Sequence, residues 1–415
     1  MSLAWTAYRV LAPVLGAVAP SAGMFASPNE QPFWKERMGA ASLPGGCHAW
    51  VHAASLGEAA AVPPLLRELR RSVPDARFWL TATSRGGRAK LRQIERTVSL
   101  APIDSPQAVR RFVEGVAPER LLLVETELWP HWLLRARAEE IPVAVVSARL
   151  SERSVGRYRG LGAGMRELVG GLAAVLCQTE EDRRRWLEIG AARDRVRVVG
   201  NLKSDGLPEP AADRATARAA MGAEPARPLF VLGSLRPGEG RQLARAWMAL
   251  PEDVRAGWTV VAVPRHPRAS EELGAEVAAA GVTVTSDPSR TDAWMWDDRT
   301  GVLVDWYRGA DLAFVGGSLS PFGGHNPLEP AACGAAVMMG MHHASQLDYV
   351  RALRGGDAIE LLEPGDALTG SLRRLLTDET LRTGRAKRAR AVAEAQRGSA
   401  ARAVAALREM DLWPA

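Results

Sequence analysis

Between Phe314 and Glu329 the chain runs Phe-Val-Gly-Gly-Ser-Leu-Ser-Pro-Phe-Gly-Gly-His-Asn-Pro-Leu-Glu, and these are residue types that hold a nucleotide. The apolar run over 311–315 has strand composition. The glycine pairs Gly316-Gly317 and Gly323-Gly324 let the backbone turn tightly, and Asn326 before Pro327 marks a helix start. A strand feeding such a turn presents backbone N–H groups along Gly316, Gly317, Ser318, Gly324, His325, Asn326 and, past Pro327, Leu328, where phosphate is the natural guest. The carboxylate of Glu329 then stands where it could hold sugar hydroxyls.

Other strand ends carry further chemistry. A strand over 49–53 runs through Ala54-Ser55-Leu56-Gly57 to Glu58 at a helix start, where a carboxylate can serve as general base if burial offsets the helix dipole, or can merely complement that dipole. A later strand delivers Glu125-Thr126-Glu127, whose carboxylates share a face if the segment stays extended, so that one organises a site and the other is structural. Ser147, Arg149 and Arg153 follow the next strand, and Thr83 and Arg85 an earlier one. Interleaved hydroxyls and guanidinium groups suit an acceptor bearing phosphate, since Arg binds it in a bidentate fork. In the second half, Gly233-Ser234 resembles a phosphate turn, and the prolines of Pro264-Arg265-His266-Pro267 hold Arg265 and His266 extended at a strand end, where they could meet a phosphate or a base. Neither segment is the dinucleotide fingerprint or a Walker loop, which disfavours dehydrogenases and ATPases.

These residues need a scaffold of strand ends, and the chain supplies one. Apolar runs over 49–53, 77–82, 120–124, 142–146, 173–177 and 196–199 alternate with helical stretches. After a Pro-rich passage the rhythm restarts over 229–232, 258–263, 282–284, 301–304, 312–315 and 336–339. Near-continuous apolar strands separated by helices mean parallel sheets covered on both faces. Two doubly wound domains leave a cleft, with ligands beyond the carboxyl ends of the strands. The expected division is a membrane-associating segment over 1–30, an acceptor domain over 31–205, a linker over 206–227, a nucleotide domain over 228–388 and a terminal helix over 389–415.

Composition sets the bounds. At 415 residues the chain is long enough for two domains, and 47% hydrophobic with 24% charged residues argues for a folded protein. Net charge +6 fits a partner carrying phosphate without choosing among nucleotide, anionic lipid and nucleic acid. Three dispersed cysteines and no His-Glu-x-x-His point to a reducing compartment and no metal. The stretch 10–29 lacks any charge, but its prolines and glycines and its poverty in Leu argue against a spanning helix; an interfacial segment is favoured, ahead of a helix packed on the protein's own surface and a cleaved signal peptide.

In order, His52-Ala-Ala-Ser-Leu-Gly-Glu58, Glu125-Thr-Glu-Leu-Trp-Pro130, Ser147-Ala-Arg-Leu-Ser151, Gln178-Thr-Glu-Glu-Asp182, Gly200-Asn-Leu-Lys203, Val263-Pro-Arg-His-Pro267 and Gly323-Gly-His-Asn-Pro-Leu-Glu329 resemble the 3-deoxy-D-manno-octulosonic acid (Kdo) transferases of lipid A biosynthesis. The resemblance implies a GT-B glycosyltransferase, with two Rossmann-like domains facing a central cleft. It implies transfer of Kdo from CMP-Kdo to a lipid A precursor at the cytoplasmic face of the inner membrane, without metal or other cofactor. Glu58 then corresponds to the proposed base and Glu125 to a second acidic residue on the acceptor side. Ser55, Gly57, Thr83, Arg85, Glu127, Ser147, Arg149 and Arg153 make up the expected acceptor surface. CMP contacts would fall on Pro264 and Arg265, on Gly301, Val302 and Leu303, and on Asn326 to Glu329, with Gly233, Ser234, His266 and the 316–318 turn beside them. The family's middle contact is usually Gly-Glu; Gly301-Val302 here leaves only a backbone contact. A nucleotide-sugar 2-epimerase keeps the same fold with different chemistry. A basic RNA-binding protein is a third reading, disfavoured by 6% aromatic residues and no groove-reading motif.

Overall fold

Among the described residues, fourteen short strands form two separate seven-stranded sheets, and every pairing in them is parallel. The computed structural model describes residues 5–8, 10–13, 27, 29–287 and 290–414. The chain divides into two compact units, one running to Gly206 and including Gly398 onward, the other spanning Leu207–Arg397.

In the first unit the strands are β1 (Ala49–His52), β2 (Phe78–Ala82), β3 (Val98–Leu100), β4 (Leu121–Val124), β5 (Val143–Ala148), β6 (Ala174–Cys177) and β7 (Val196–Val198). Their order is β3-β2-β1-β4-β5-β6-β7. In the second they are β8 (Leu229–Leu235), β9 (Thr259–Pro264), β10 (Val284–Thr285), β11 (Trp294–Trp296), β12 (Leu312–Val315), β13 (Ala336–Gly340) and β14 (Ile359–Leu362), in the order β10-β11-β9-β8-β12-β13-β14. Strands such as Leu-Leu-Leu-Val in β4 are buried throughout because helices cover both faces. The winding reverses between β1 and β4 in one sheet and between β8 and β12 in the other. Crossovers leave in opposite directions there, so the strand ends open a crevice at each switch point.

Three strands escape the sequence pattern. β3 and β11 have only three residues, and β14 carries Glu360 in mid-strand, its carboxylate met by Arg374, Arg385 and Ser371. Conversely, 301–304 is no strand. Gly301 turns with φ +89, and Leu303–Gly309 is a helix that buries Trp306 and Tyr307. The indole of Trp306 donates to Asp297 at 2.8 Å, which fixes that helix.

The stretch expected as a linker is part of the second unit. It contains the helix Arg214–Ala220, whose buried Arg218 donates to the carbonyls of Gly309, Pro225 and Arg227 and pairs with Asp311. The terminal helix is divided in two, Glu379–Ala395 and Ser399–Glu409. The second helix belongs to the first unit, where Asp205 caps it by accepting from the amides of Ser399 and Ala400 at 3.0 and 2.6 Å. Beyond it Trp413, 3% exposed, stacks on Phe78 at 6.0 Å and donates to Ser72 Oγ at 3.0 Å.

At the amino terminus, residues 5–8 and 10–13 are helical. Trp5 is buried against Gly164, whose missing side chain leaves it room, while Val10 and Leu11 are exposed. Most of the uncharged stretch expected at a membrane, 14–26 and 28, lies outside the described residues. Among the described residues no helix is long and apolar enough to cross a bilayer.

Trp413 closes the core of the first unit from the far end of the chain. Trp413→Ala should therefore destabilise that unit by about 3–5 kcal/mol in denaturant unfolding. A loss below about 1 kcal/mol would show that the tail merely rests on the surface.

Candidate active site

Glu58 stands at the switch point of the first sheet, on the loop leaving β1 next to the end of β4. A short helix, Leu56–Ala59, begins there because Ser55 and Glu58 cap it reciprocally. Ser55 Oγ accepts from the Glu58 amide at 3.2 Å, while the Glu58 carboxylate accepts from the Ala54 amide at 2.7 Å and from Ser55 Oγ at 3.0 Å. The cap fixes the carboxylate without covering it. Burial raises its pKa, and the nearby charges of Glu125 and Glu127 raise it further, against the pull of the Ala54 and Ser55 donors. The result is an oriented carboxylate of increased basicity. Gly57 beside it is exposed, and an added Cβ would meet only Ser55 Oγ, at 3.8 Å, so space and not packing is what glycine gives here.

The acidic pair after β4 does not share a face. Glu125 adopts a left-handed backbone, φ +64, and its carboxylate meets Lys203 Nζ at 2.5 Å. Glu127 accepts from the Trp129 indole at 2.7 Å and lies 3.7 Å from His52 Nε2. Both charges bear on Glu58 from separate anchors. Lys203, quoted in a motif but given no role there, is the functional residue missed on this side. Its pairing with a residue 78 positions away has no sequence signal.

Ser147 is not an acceptor contact. It is fully buried, with φ +53, and its hydroxyl is 3.3 Å from both the Leu202 amide and Gln178 Nε2. Asn201 completes the mesh, donating to Gln178 Oε1 at 3.1 Å and accepting from the Lys203 amide at 3.0 Å. Arg85 pairs with Glu30 and lies over Phe33, so its charge is engaged. Thr83 is half-buried, and its carbonyl receives Arg37 at 2.8 Å. Arg149 and Arg153 remain exposed, with Ser55 and Glu127 half-buried near the strand ends.

The second sheet crowds its own switch point. A Cβ on Gly316 would stand 2.3 Å from the Ser234 carbonyl oxygen, and one on Gly233 would stand 2.0 Å from Tyr307 Oη. Only glycine allows that approach. Ser234 sits between them, buried, with φ +56.

The glycine turn does not offer its amides to phosphate. The carboxylate of Glu239, with no exposed surface, accepts from Gly317, Ser318 and Leu319 at 2.8, 2.8 and 2.9 Å and from the Arg236 amide at 2.9 Å. Burial pushes its pKa up while the donors pull it down, and the ionised form is the one whose two oxygens can accept all four. Ser318 is likewise buried, bonded to the Val315 carbonyl and the Gly340 amide. Gly233, Gly316, Gly317 and Ser318 therefore shape the site, and Pro264, Pro327 and Leu328 are buried behind it. The helix Leu328–Ala332 has five residues and little dipole; just before it, the side chain of Asn326 accepts from the Leu328 amide at 3.0 Å. Gly301 lies on a turn, and Val302 and Leu303 pack against the core with Leu303 beside Gly233.

What remains open at these strand ends is polar, with two guanidinium groups among it. Arg265 and His266 follow β9, and Arg236 follows β8 with its guanidinium 4.2 Å from the centre of the Phe322 ring. His325 is pulled down to about 4 by burial, then by Arg265, Arg236 and His266, and is a neutral imidazole at neutral pH. Glu329 is raised by burial, with Asn326 and Arg265 opposing. Arg236 and Glu239 are the residues missed on this side. Among the described residues no three His, Cys, Asp or Glu side chains gather as metal ligands would.

Lys203 offsets the Glu125 charge that bears on Glu58. Lys203→Met should raise the Glu58 pKa further, and Glu125→Gln should lower it, read as opposite displacements in carboxyl 13C titrations. Displacement in the same direction would sever the proposed coupling.

Three comparisons bear on this arrangement. Residues 33–206 match the family model described as 3-deoxy-D-manno-octulosonic-acid transferase (kdotransferase). A 3-deoxy-D-manno-octulosonic acid transferase of Bordetella pertussis is 35% identical over 390 residues, covering 89% of each chain. One from Chlamydia muridarum is 29% identical over 363 residues, covering 84% of this chain and 83% of its own. Among solved structures, a UDP-GlcNAc 2-epimerase of Neisseria meningitidis aligns with TM-score 0.60 at 13% identity over 87% of this chain and 99% of that one. The epimerase shares the fold, two Rossmann-like units of the GT-B type, and at that identity nothing more. The sequence relatives carry the assignment: the chain belongs to the Kdo transferase family, a family of glycosyltransferases.

Proposed function

We propose that this chain moves Kdo from CMP-Kdo to a sugar hydroxyl of the lipid A precursor lipid IVA, with inversion at the anomeric carbon and release of CMP. The observation that carries the reading is the Glu58 carboxylate, oriented by its reciprocal cap and made more basic by burial and two acidic neighbours. It takes the proton from the acceptor hydroxyl. The freed oxygen attacks the anomeric carbon of Kdo, the bond from that carbon to the phosphate oxygen breaks, and the electron pair leaves with CMP. A single displacement of this kind inverts the centre. Negative charge grows on the departing phosphate in the transition state, and the exposed guanidinium of Arg265 is the group suited to absorb it. Neutral His325 can donate a hydrogen bond there but has no proton to give up, so departure relies on fixed charge.

On the acceptor side, exposed Arg149 and Arg153 suit the phosphates of a lipid A precursor. Exposed Val10 and Leu11, 60% and 58% accessible, suit attachment to the cytoplasmic surface of the inner membrane. The reaction as written uses side chains alone, with no metal, cofactor or nucleic acid.

Glu58→Gln keeps the shape of the cap and removes the base. Transfer from CMP-Kdo to tetra-acylated lipid A precursor, followed by mass spectrometry, should fall by about 10²–10⁴-fold or more. CMP affinity should stay within about twofold. Because the wild-type base titrates above the usual carboxylate range, wild-type transfer should decline as pH falls through that raised value, and the residual activity of the Gln variant should not follow it. Near-normal transfer by Glu58→Gln would refute the base assignment.

A further inference from the structure

Two arginines, Arg236 and Arg265, stand on adjacent strand ends of the second sheet. Leu235 and Pro264 are paired across β8 and β9, the amide of Arg265 donates to the Leu235 carbonyl at 3.0 Å, and Arg236 is the very next residue. Neighbouring strands lie about 4.8 Å apart, so the two side chains leave the sheet side by side. Neither makes an ion pair among the described residues, although this chain pairs its arginines freely elsewhere. Like charges so arranged are unfavourable until anions arrive.

Arg236 is held more firmly than an ordinary surface arginine. Its amide is fixed by Glu239, which also fixes the amide of Gly317, and Gly317 in turn abuts Phe322 and His325. The Phe322 ring lies under the Arg236 guanidinium, and Arg236 Nε is buried without a hydrogen-bond partner. Exposed Phe322, 45% accessible, is otherwise hard to account for on a loop. A guanidinium stacked on a ring is limited to a plane, which favours a planar, forked anion.

The donor named above supplies two anions at once. Kdo is an ulosonic acid, so its carboxylate and, in CMP-Kdo, the phosphate oxygen are bonded to the same carbon. Resting on that reading, we propose that Arg265 takes the phosphate while Arg236, pressed on Phe322, takes the Kdo carboxylate in a bidentate fork. Arg236 is then the residue that distinguishes a nucleotide-activated ulosonic acid from the nucleotide alone. Holding the carboxylate to one side also fixes the anomeric carbon for attack on its opposite face.

The test separates the two anions. CMP carries the phosphate and lacks the carboxylate, so its inhibition constant reports one and the KM for CMP-Kdo reports both. Arg236→Gln should raise the KM for CMP-Kdo by about ten- to a hundredfold, the worth of a charge-assisted fork, and leave the inhibition constant of CMP within about twofold. Arg236→Lys should recover only part of the loss, because an ammonium cannot make the fork. Arg265→Gln should weaken CMP and CMP-Kdo together. If Arg236→Gln weakens CMP as much as CMP-Kdo, or if Lys restores the wild-type KM, the carboxylate assignment is wrong while Kdo transfer stands. Failure of the wild-type chain to transfer from CMP-Kdo would instead remove the reading beneath it. Unchanged CMP inhibition also shows that the variant is folded.

Discussion

The second unit is organised around a buried anion. Glu239 has no exposed surface, yet its carboxylate accepts four backbone amides, three from the turn after β12 and one from the turn after β8. Burying an unpaired charge costs several kcal/mol or more, so the carboxylate holds its place only because the amides replace its water. The amides need it equally, since a glycine turn that buries its N–H groups must find acceptors for them. This reciprocity ties the two strands that flank the switch point, and from it follow the course of the 316–325 loop, the position of Phe322 and the fixed base of Arg236. It also reverses an expectation. A nest of amides suited to phosphate is already filled by the protein's own carboxylate, and the positive charges left beside it are on side chains, Arg236 and Arg265.

The first unit solves the same crowding differently. Its strand ends carry Glu125 and Ser147 in left-handed backbone conformations, which for residues other than glycine persist only when their surroundings hold them. A mesh through Gln178, Asn201 and Lys203 does so. That mesh leaves Glu58 outside it, tied only to its own cap. The Glu58 carboxylate keeps lone pairs open while its acidic neighbours, one paired with Lys203 and one with Trp129, raise its pKa from fixed positions. Burial and like charge act on it in the same direction, which is the combination that turns a glutamate into a base.

Much of this was legible in the chain itself. The alternation of apolar runs and helices predicts two parallel sheets, and the long strands follow the pattern closely. Where it fails, the cause is local. β3 and β11 are too short to show a period, the charge of Glu360 hides β14, and the apolar run at 301–304 belongs to a helix because Gly301 turns the chain just before it. The helix start at Glu58 was read from sequence, but the reciprocal cap with Ser55 that forms it, a four-residue Ser-x-x-Glu signal, was passed over. The ordered motifs were enough for the family, which the relatives bear out.

What sequence determined, then, is everything that depends on neighbours a few residues apart: strand composition, the cap under Glu58, the turns at Gly316 and Gly323, and the character of the groups at each strand end. What tertiary structure decided is how those groups are used. Ser147 and Ser318 look like ligand hydroxyls and prove to be buried fasteners, while Lys203, Arg236 and Glu239 look ordinary and prove central. The physical reason is that burial and electrostatic pairing are set by atoms brought together from distant parts of the chain. Lys203 meets Glu125 across 78 residues and Glu239 meets Ser318 across 79, distances over which no local pattern in a sequence carries information.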